Sequence, residues 1–258
     1  MALLRSKNPR LAARISPPVA WLLRSIVRES SLNRAVSETR ECTGCAFVDA
    51  VLSRLEISVE VRNPERFPPS PRIVVCANHP TGGIDGLILM SILCKRYGSV
   101  RVPANDLLFV LPGLRELLVP VDKHGSNVAH LEAYREMYNS PHPVLIFPAG
   151  RTARPVGGVL REFPWNKAFM KQARLSGRLV VPVRLSGANS RRFYLLWRLR
   201  RALKIKANLE MFLLVDELLR RRGENRLVEI HSPCSPAEGT SGAAGDRRRA
   251  ELLRREVS

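Results

Sequence analysis

Residues 73–86 read Ile-Val-Val-Cys-Ala-Asn-His-Pro-Thr-Gly-Gly-Ile-Asp-Gly, and the rest of the chain can be arranged around them. A β-branched run leads into a turn with two glycines, and an apolar segment with few helix breakers continues from Leu87. This order predicts a buried strand, a tight loop and a helix. It places His79 and Asp85 at the two ends of one short loop.

A histidine and a carboxylate in this arrangement suit proton abstraction. Imidazole titrates near neutrality, at ~6.5 when unperturbed, and an acid on its far nitrogen orients the ring and stabilises the imidazolium. Backbone N–H groups of Gly82 and Gly83 can approach a developing oxyanion or a phosphate closely. The same residues also fit a structural role, in which His79 caps a turn and Asp85 caps the helix. Both interpretations stay open at this point.

Charge is the unusual feature of the composition. The 258 residues include 42 Lys+Arg against 23 Asp+Glu, a formal net charge of +19, and 45% apolar residues. The apolar fraction and the length suit one sizeable α/β domain with an appendage. The positive field draws the protein toward nucleic acid, an anionic bilayer or phosphorylated substrates. No apolar run reaches the ~18 residues of a membrane span, and we find no signal peptide.

The five cysteines are scattered, at Cys42, Cys45, Cys76, Cys94 and Cys234. Cys42-Thr-Gly-Cys45 has metal or redox spacing, but no second Cys/His pair completes a zinc site. We therefore expect buried or incidental thiols in a reducing compartment and no metal.

Two segments are basic and amphipathic. Residues 1–28 carry six basic side chains and no acid, and Pro17-Pro18 divides them. They suit a monotopic membrane anchor, an organellar transit peptide or a docking helix. Residues 191–206 hold seven basic side chains threaded with aromatic and leucine residues, which favours membrane contact over a solvated helix.

Strands alternate with helices along the middle of the chain. Further buried strands are predicted at 143–147 and 179–185, so the fold class is α/β, with a mixed, largely parallel sheet flanked by helices. Ligands in such sheets bind at the carboxyl ends of the strands, where residues 78–79, 147–154 and 186–189 fall. The predicted organisation is an N-terminal helical, membrane-associating segment (1–56), the α/β domain (57–236) and a flexible charged tail (237–258).

Taken in order, four pieces resemble the glycerolipid (1-acylglycerol-3-phosphate or lysophospholipid) acyltransferase family, in its hemolysin-like or ornithine-lipid-associated branch. They are Ala77–Gly86; Ala104–Leu108 with Val119–Lys123; Phe147–Arg151; and Val181–Val183 with Gly187–Ser190 and Phe193-Tyr194. As an ordered set over residues 57–200 they are far more specific than any one piece.

The resemblance implies O-acyl transfer without a cofactor or metal, from acyl carrier protein or coenzyme A thioester to a lysolipid. His79 would deprotonate the hydroxyl of a lysophosphatidate-like lysophospholipid or lyso-aminolipid, and Asp85 would orient His79. Amides near Gly82 and Gly83 would stabilise the oxyanion. The acceptor's phosphate or carboxylate would be held by Lys123, Gly150, Arg151 and Arg154. The implied location is peripheral, at an anionic membrane surface on the cytoplasmic face of the inner membrane.

The chain departs from the family pattern in two places. Asp85 stands one residue later than the commonest motif has its acid, and Ala149 replaces a usual Glu before Arg151-Thr152. Which arginine binds the anion therefore stays open, and a non-catalytic lipid-binding relative is one alternative. The charge suggests another, a nucleic-acid-binding protein, but no helix-turn-helix, zinc-finger or RNA-recognition signature accompanies it. We expect no nucleic-acid partner.

Overall fold

The computed structural model describes residues 41–104, 108–121, 128–204, 213–237 and 242–258. The predictions for residues 1–40 and for Lys123 lie outside these ranges.

Helices and strands alternate through the described residues. The helices are α1 (Gly44–Arg54), α2 (Gly83–Tyr97), α3 (Val128–Asn139), α4 (Ala168–Leu175), α5 (Arg191–Ala202), α6 (Leu214–Leu219) and α7 (Ala243–Val257). The strands are β1 (Ser58–Arg62), β2 (Ile73–Ala77), β3 (Val102–Ala104), β4 (Leu118–Pro120), β5 (Val144–Ile146), β6 (Arg154–Val156), β7 (Val159–Arg161), β8 (Leu179–Leu185) and β9 (Asn225–Ile230).

The central sheet has the order β1-β9-β8-β2-β5. β2 pairs in parallel with both β5 and β8, and β1 pairs in parallel with β9. β9 runs antiparallel to β8, with Leu185 opposite Val228. The start of β9 therefore lies at the edge where β2, β5 and β8 end. β3 with β4 forms a small parallel pair, and β6 with β7 forms a hairpin. The predicted mixed, largely parallel sheet flanked by helices is confirmed.

β2 is the centre of two hydrophobic layers. All five of its residues are buried, as a parallel strand with both faces covered requires. Successive side chains point to opposite faces. Ile73, Val75 and Ala77 pack in the cluster that includes α1 and α2, whereas Val74 and Cys76 pack in the cluster that includes α3, α4 and α7.

The C-terminal segment corrects one prediction. The expected flexible tail over 237–258 instead contains α7, whose buried Ala250, Leu253 and Val257 belong to the core on one face of the sheet. Glycine, serine and charge in the composition suggested disorder, but three apolar residues on one side of the helix supply enough buried surface to dock it.

The N-terminal boundary is also different from the prediction. α1 buries Phe47, Val48 and Leu52 in the main core, so residues 44–54 belong to the α/β domain and not to a separate segment. Cys45 on α1 forms a disulfide with Cys94 on α2, where unpaired thiols were expected. Cys42 and Cys76 are free thiols.

No helix among the described residues is long and apolar enough to cross a membrane.

Candidate active site

His79 and Asp85 meet at the edge where β2 ends and α2 begins. His79 follows β2 by two residues, and Asp85 is the third residue of α2. Nδ1 of His79 lies 3.1 Å from Oδ2 of Asp85, and the two side chains are 18% and 0% exposed. Within the described residues Nδ1 forms no hydrogen bond of good geometry, so its contact with Asp85 is close but imperfectly aligned. The His79 ring is thus partly accessible to solvent, whereas the Asp85 carboxylate is fully buried.

The Asp85 carboxylate also caps the helix. Oδ2 accepts the backbone N–H of Thr81 at 2.8 Å and of Gly82 at 2.9 Å, and Oδ1 accepts the Thr81 hydroxyl. Capping and pairing with histidine therefore coexist. Burial alone raises the pKa of Asp85, but His79, Arg226 and Thr81 together outweigh it and hold the pKa below its usual value. The carboxylate is charged at neutral pH.

Arg226, on β9, was not predicted from the sequence. Its side chain is 2% exposed, and Nη2 lies 3.1 Å from Oδ1 of Asp85. Nothing near residue 226 marks it as a site residue, because the contact joins positions 141 apart in the chain. To place Arg226 beside Asp85, one would have to know that β9 runs antiparallel to β8.

The His79 ring and its backbone are fixed by the loops after β5 and β7. The ring stacks on Phe147, with centroids 4.2 Å apart and planes at 29°. The backbone carbonyl of His79 accepts a hydrogen bond from the Ala153 N–H at 2.9 Å. The backbone N–H of His79 donates to Oε2 of Glu162 at 3.2 Å. Burial raises the pKa of Glu162. Glu162, too, was not predicted, since its sequence neighbourhood carries no motif.

The two glycines occupy different surroundings. Gly82 is buried at φ +101°, and a Cβ there would lie 3.0 Å from Leu214. Its N–H is already bonded to Asp85, so it is not available to an oxyanion. Gly83 is exposed at the first position of α2, where an N–H has no partner within the helix. The structure thus favours Gly83 over Gly82 as a donor to a ligand.

The two candidate arginines differ in the same way. Arg154 is buried: Nη1 donates to the carbonyls of Thr152 and Ala153, at 2.8 Å and 3.2 Å, and the guanidinium lies 4.6 Å from the Phe193 ring centroid. Arg151 is exposed, and Gly150 beside it has φ +64° in the turn after β5. Arg151 is therefore the better placed of the two to meet an acceptor.

The loop after β8 closes the other side of the site. Asn78 exchanges two hydrogen bonds with Leu185, through its Oδ1 at 2.7 Å and its Nδ2 at 3.0 Å. Asn189 donates to the carbonyl of Pro80 at 3.4 Å. Arg221 donates to the carbonyl of Ala188 at 2.7 Å. These contacts fix the ends of β2 and β8 beside each other.

This arrangement can remove a proton. An imidazole whose Nδ1 faces a buried carboxylate presents Nε2 as the proton acceptor. Among residues that the structure describes, no group of three or more His, Cys, Asp or Glu side chains is placed to hold a metal ion.

A comparison with known sequences gives a consistent picture. The model of the Acyltransferase family matches residues 2–257. Lyso-glycine lipid O-acyltransferase of Bacteroides thetaiotaomicron is 34% identical over 233 residues, which cover 90% of this chain and 86% of the relative. The enzyme of the same name from Phocaeicola vulgatus is also 34% identical over 233 residues, covering 90% of this chain and 84% of its own length.

A solved structure has a similar fold. The crystal structure of the 1-acyl-sn-glycerophosphate (LPA) acyltransferase PlsC from Thermotoga maritima superposes with a TM-score of 0.53. The match covers 92% of this chain and 94% of that one, at 18% sequence identity. At this identity the likeness concerns the fold alone.

Proposed function

The chain belongs to the acyltransferase family, and we propose that it transfers a fatty acyl group from an acyl thioester to the hydroxyl of a lysolipid at a membrane surface. The observation that carries this proposal is the His79–Asp85 pair, with an accessible imidazole and a buried carboxylate 3.1 Å from Nδ1. We call this pair the dyad.

In the proposed step His79 acts as general base. Nε2 takes the proton of the acceptor hydroxyl while the hydroxyl oxygen attacks the carbonyl carbon of the thioester. A C–O bond forms, the tetrahedral oxyanion collapses, and the C–S bond breaks. The leaving thiolate takes the proton back from the imidazolium. Asp85 stays ionised and holds the ring throughout.

The neighbouring residues have supporting roles in this proposal. The Gly83 N–H donates to the oxyanion, a contribution typically worth ~3 kcal/mol per donor. Arg151 binds the acceptor's carboxylate or phosphate. Lys123 stays a prediction for the same anion.

For the acceptor we propose a lyso-aminolipid ahead of lysophosphatidate. The two relatives at 34% identity bear the name lyso-glycine lipid O-acyltransferase, whereas the 1-acyl-sn-glycerophosphate (LPA) acyltransferase is only 18% identical in sequence. The donor is acyl carrier protein or coenzyme A thioester, both acidic, and a protein of net charge +19 attracts either.

Helix α5 supplies an argument for the membrane surface. Leu195 and Leu199 are 66% and 53% exposed, and Leu203 just beyond the helix is 62% exposed. Their spacing of four puts them on one side. The aromatic residues Phe193 and Trp197, which suggested membrane contact in the sequence, are buried instead. Exposed arginines border the leucines: Arg191, Arg192, Arg198 and Arg201.

We therefore propose that this face of α5 rests peripherally on an anionic bilayer. Its side chains are apolar at the centre and cationic around it, as for an interfacial helix. Cosedimentation with phosphatidylglycerol liposomes tests it. Leu195→Gln/Leu199→Gln should weaken binding, whereas Leu175→Gln/Leu252→Gln, at 65% and 52% exposure, should not. Equal binding by both double variants contradicts the role of α5.

Acyl transfer by the purified protein tests the reaction itself. Labelled acyl carrier protein and coenzyme A thioesters are each offered, on liposomes, with lyso-glycine lipid, other lyso-aminolipids and lysophosphatidate. We expect transfer to one acceptor class and its loss in His79→Ala.

The chain contains its own control, because His231 also has a carboxylate 3.1 Å from its Nδ1. His231→Ala should keep the activity. Full activity in His79→Ala would overturn the mechanism. Failure of the folded, liposome-bound protein with every donor and acceptor would favour a lipid-binding relative without catalysis.

A further inference from the structure

Arg226 makes its contacts on the side of Asp85 that faces away from His79. Nη2 lies 3.1 Å from Oδ1, whereas Nδ1 of His79 lies 3.1 Å from Oδ2. The same Nη2 is 3.2 Å from the Thr81 hydroxyl and also donates to the Ser186 carbonyl. One guanidinium thus joins the loop before α2, the loop after β8 and the carboxylate itself.

The local backbone leaves room for this guanidinium. Gly187, after β8, has φ +121°, in the region that favours glycine. A Cβ at this position would lie 2.7 Å from both Cζ and Nη2 of Arg226. A side chain at residue 187 would therefore displace the guanidinium from Asp85.

We propose that Arg226 is a positioning residue of the dyad: it holds Oδ1 of Asp85 so that Oδ2 stays directed at His79. This inference rests on the proposed function, because it assigns Arg226 a role in the same general-base step.

The physical need for such a residue follows from burial. A carboxylate without solvent exposure is costly unless charges and donors replace water. The titratable and charged groups around Asp85 are His79 at one oxygen and Arg226 at the other, with Glu162 on the loop side, whose pKa Asp85 raises further. Beyond Arg226 stands Glu224, 3.5 Å from Nη1. Arg226 is the cation that compensates these acids from the sheet side.

Loss of this cation should therefore act on Asp85 in two ways. The carboxyl group takes up a proton at higher pH, because a coulombic contribution that lowers its pKa is gone. It also loses one of its anchors at Oδ1 and is free to turn. Both effects reduce the fraction of molecules in which His79 is correctly held.

The test compares Arg226→Gln with Arg226→Lys and with Arg222→Gln. Arg222 lies in the turn just before β9, four residues from Arg226, but it is 67% exposed and pairs with Glu56 at the surface. We expect kcat of Arg226→Gln to fall roughly 10- to 100-fold with KM within about twofold, a size typical of misplaced catalytic groups. The acid limb of its pH–rate profile should move to higher pH. Arg226→Lys should recover part of kcat, and Arg222→Gln should match the wild type.

A second measurement needs no activity. The ¹³C carboxyl signal of Asp85, assigned by its loss in Asp85→Asn, should titrate at higher pH in Arg226→Gln than in the wild type. Gly187→Ala, which keeps Arg226 but crowds its guanidinium, should shift the titration in the same direction and serves if Arg226→Gln does not fold.

The outcomes separate the two proposals. An unchanged Asp85 titration in folded Arg226→Gln or Gly187→Ala, or a kcat within twofold of the wild type in either, overturns the role of Arg226. Full transfer by His79→Ala overturns the proposed function, while the carboxyl titration still reports whether Arg226 holds Asp85.

Discussion

Two histidine–carboxylate pairs in this molecule have the same separation and very different surroundings. His79–Asp85 and His231–Glu256 both have Nδ1 3.1 Å from a carboxylate oxygen, with the histidines 18% and 17% exposed. Asp85, however, is 0% exposed, whereas Glu256 is 42% exposed. Distance alone therefore does not distinguish the proposed general base from a surface contact.

The surroundings of the acid make the difference. Asp85 is held by two backbone N–H groups, a hydroxyl and Arg226, so its orientation is fixed. Glu256 sits on α7 in contact with water, where an ion pair contributes ~0–1 kcal/mol. In addition, Nε2 of His231 is buried and, within the described residues, has no hydrogen-bond partner, so it is not presented to a substrate.

The largest difference between the two pairs is expected when each acid is neutralised. Asp85→Asn should reduce kcat by roughly 10³-fold, because an amide no longer holds the required tautomer of the ring. Glu256→Gln should leave kcat within about twofold. Steady-state transfer assays at neutral pH measure both. Similar losses in the two variants would mean that the pairs are equivalent.

The core under the second pair should matter for stability and not for chemistry. Leu253→Ala removes a buried side chain of α7 and should cost about 2–4 kcal/mol of unfolding free energy. Urea denaturation measures it, with the exposed Leu252→Ala as the control. We expect kcat of folded Leu253→Ala at 25 °C to stay near the wild-type value, and a selective loss of kcat would contradict this division.

Two exposed arginines, Arg151 in the loop after β5 and Arg255 beside Glu256, offer a milder comparison. Arg151→Gln should raise KM for the lysolipid about tenfold, equal to ~1.4 kcal/mol, because an anion contact is lost. Arg255→Gln, beside Glu256, removes an arginine that is 71% exposed and should leave KM unchanged. Titration of acceptor at saturating donor separates the two. An unchanged KM in Arg151→Gln would assign the anion to another residue.

The smallest expected effect concerns pH. The pKa of folded Asp85 lies below its usual value, so its ionised form stabilises the fold above the unfolded-state value of ~3.9 and ceases to do so as pH falls through the folded value. The melting-temperature gap between wild type and Asp85→Asn should hold from pH 7 to about 5 and shrink below about pH 4. The gap for Glu256→Gln should stay near zero. A melting-temperature gap for Asp85→Asn that widens at acid pH would show that folding raises the pKa of Asp85 and does not lower it.

The parallel part of the sheet and its loop were predictable from the sequence. Runs of apolar residues make β2, β5 and β8 recognisable in the sequence. The polar residues at the ends of these strands follow them directly in the chain, so their positions could be predicted as well. His79 and Asp85 are local to one loop, so their proximity was predictable, although the same spacing also fits two separate capping roles.

Arg226 and α7 were not predictable in the same way. Arg226 reaches the site from the beginning of a strand that runs opposite to β8, and the direction of pairing leaves no mark in the local sequence. The α7 segment has a polar composition, and only the position of Ala250, Leu253 and Val257 on one side of the helix explains its docking. The exposures that separate Arg151 from Arg154 likewise depend on neighbours distant in the chain.

The position of β9 between β1 and β8 has a consequence for the order of folding. β1 is the first strand in the chain, but it reaches β8 only through β9, the last strand. β1 therefore cannot join the sheet until β9 has docked on β8. Contacts of such long sequence separation slow folding, since the loop must close before they form. As Arg226 enters with β9, the dyad gains its cation only when β9 has docked. During refolding, therefore, acyl transfer should return with the docking of β9 and not with the earlier appearance of helix α2.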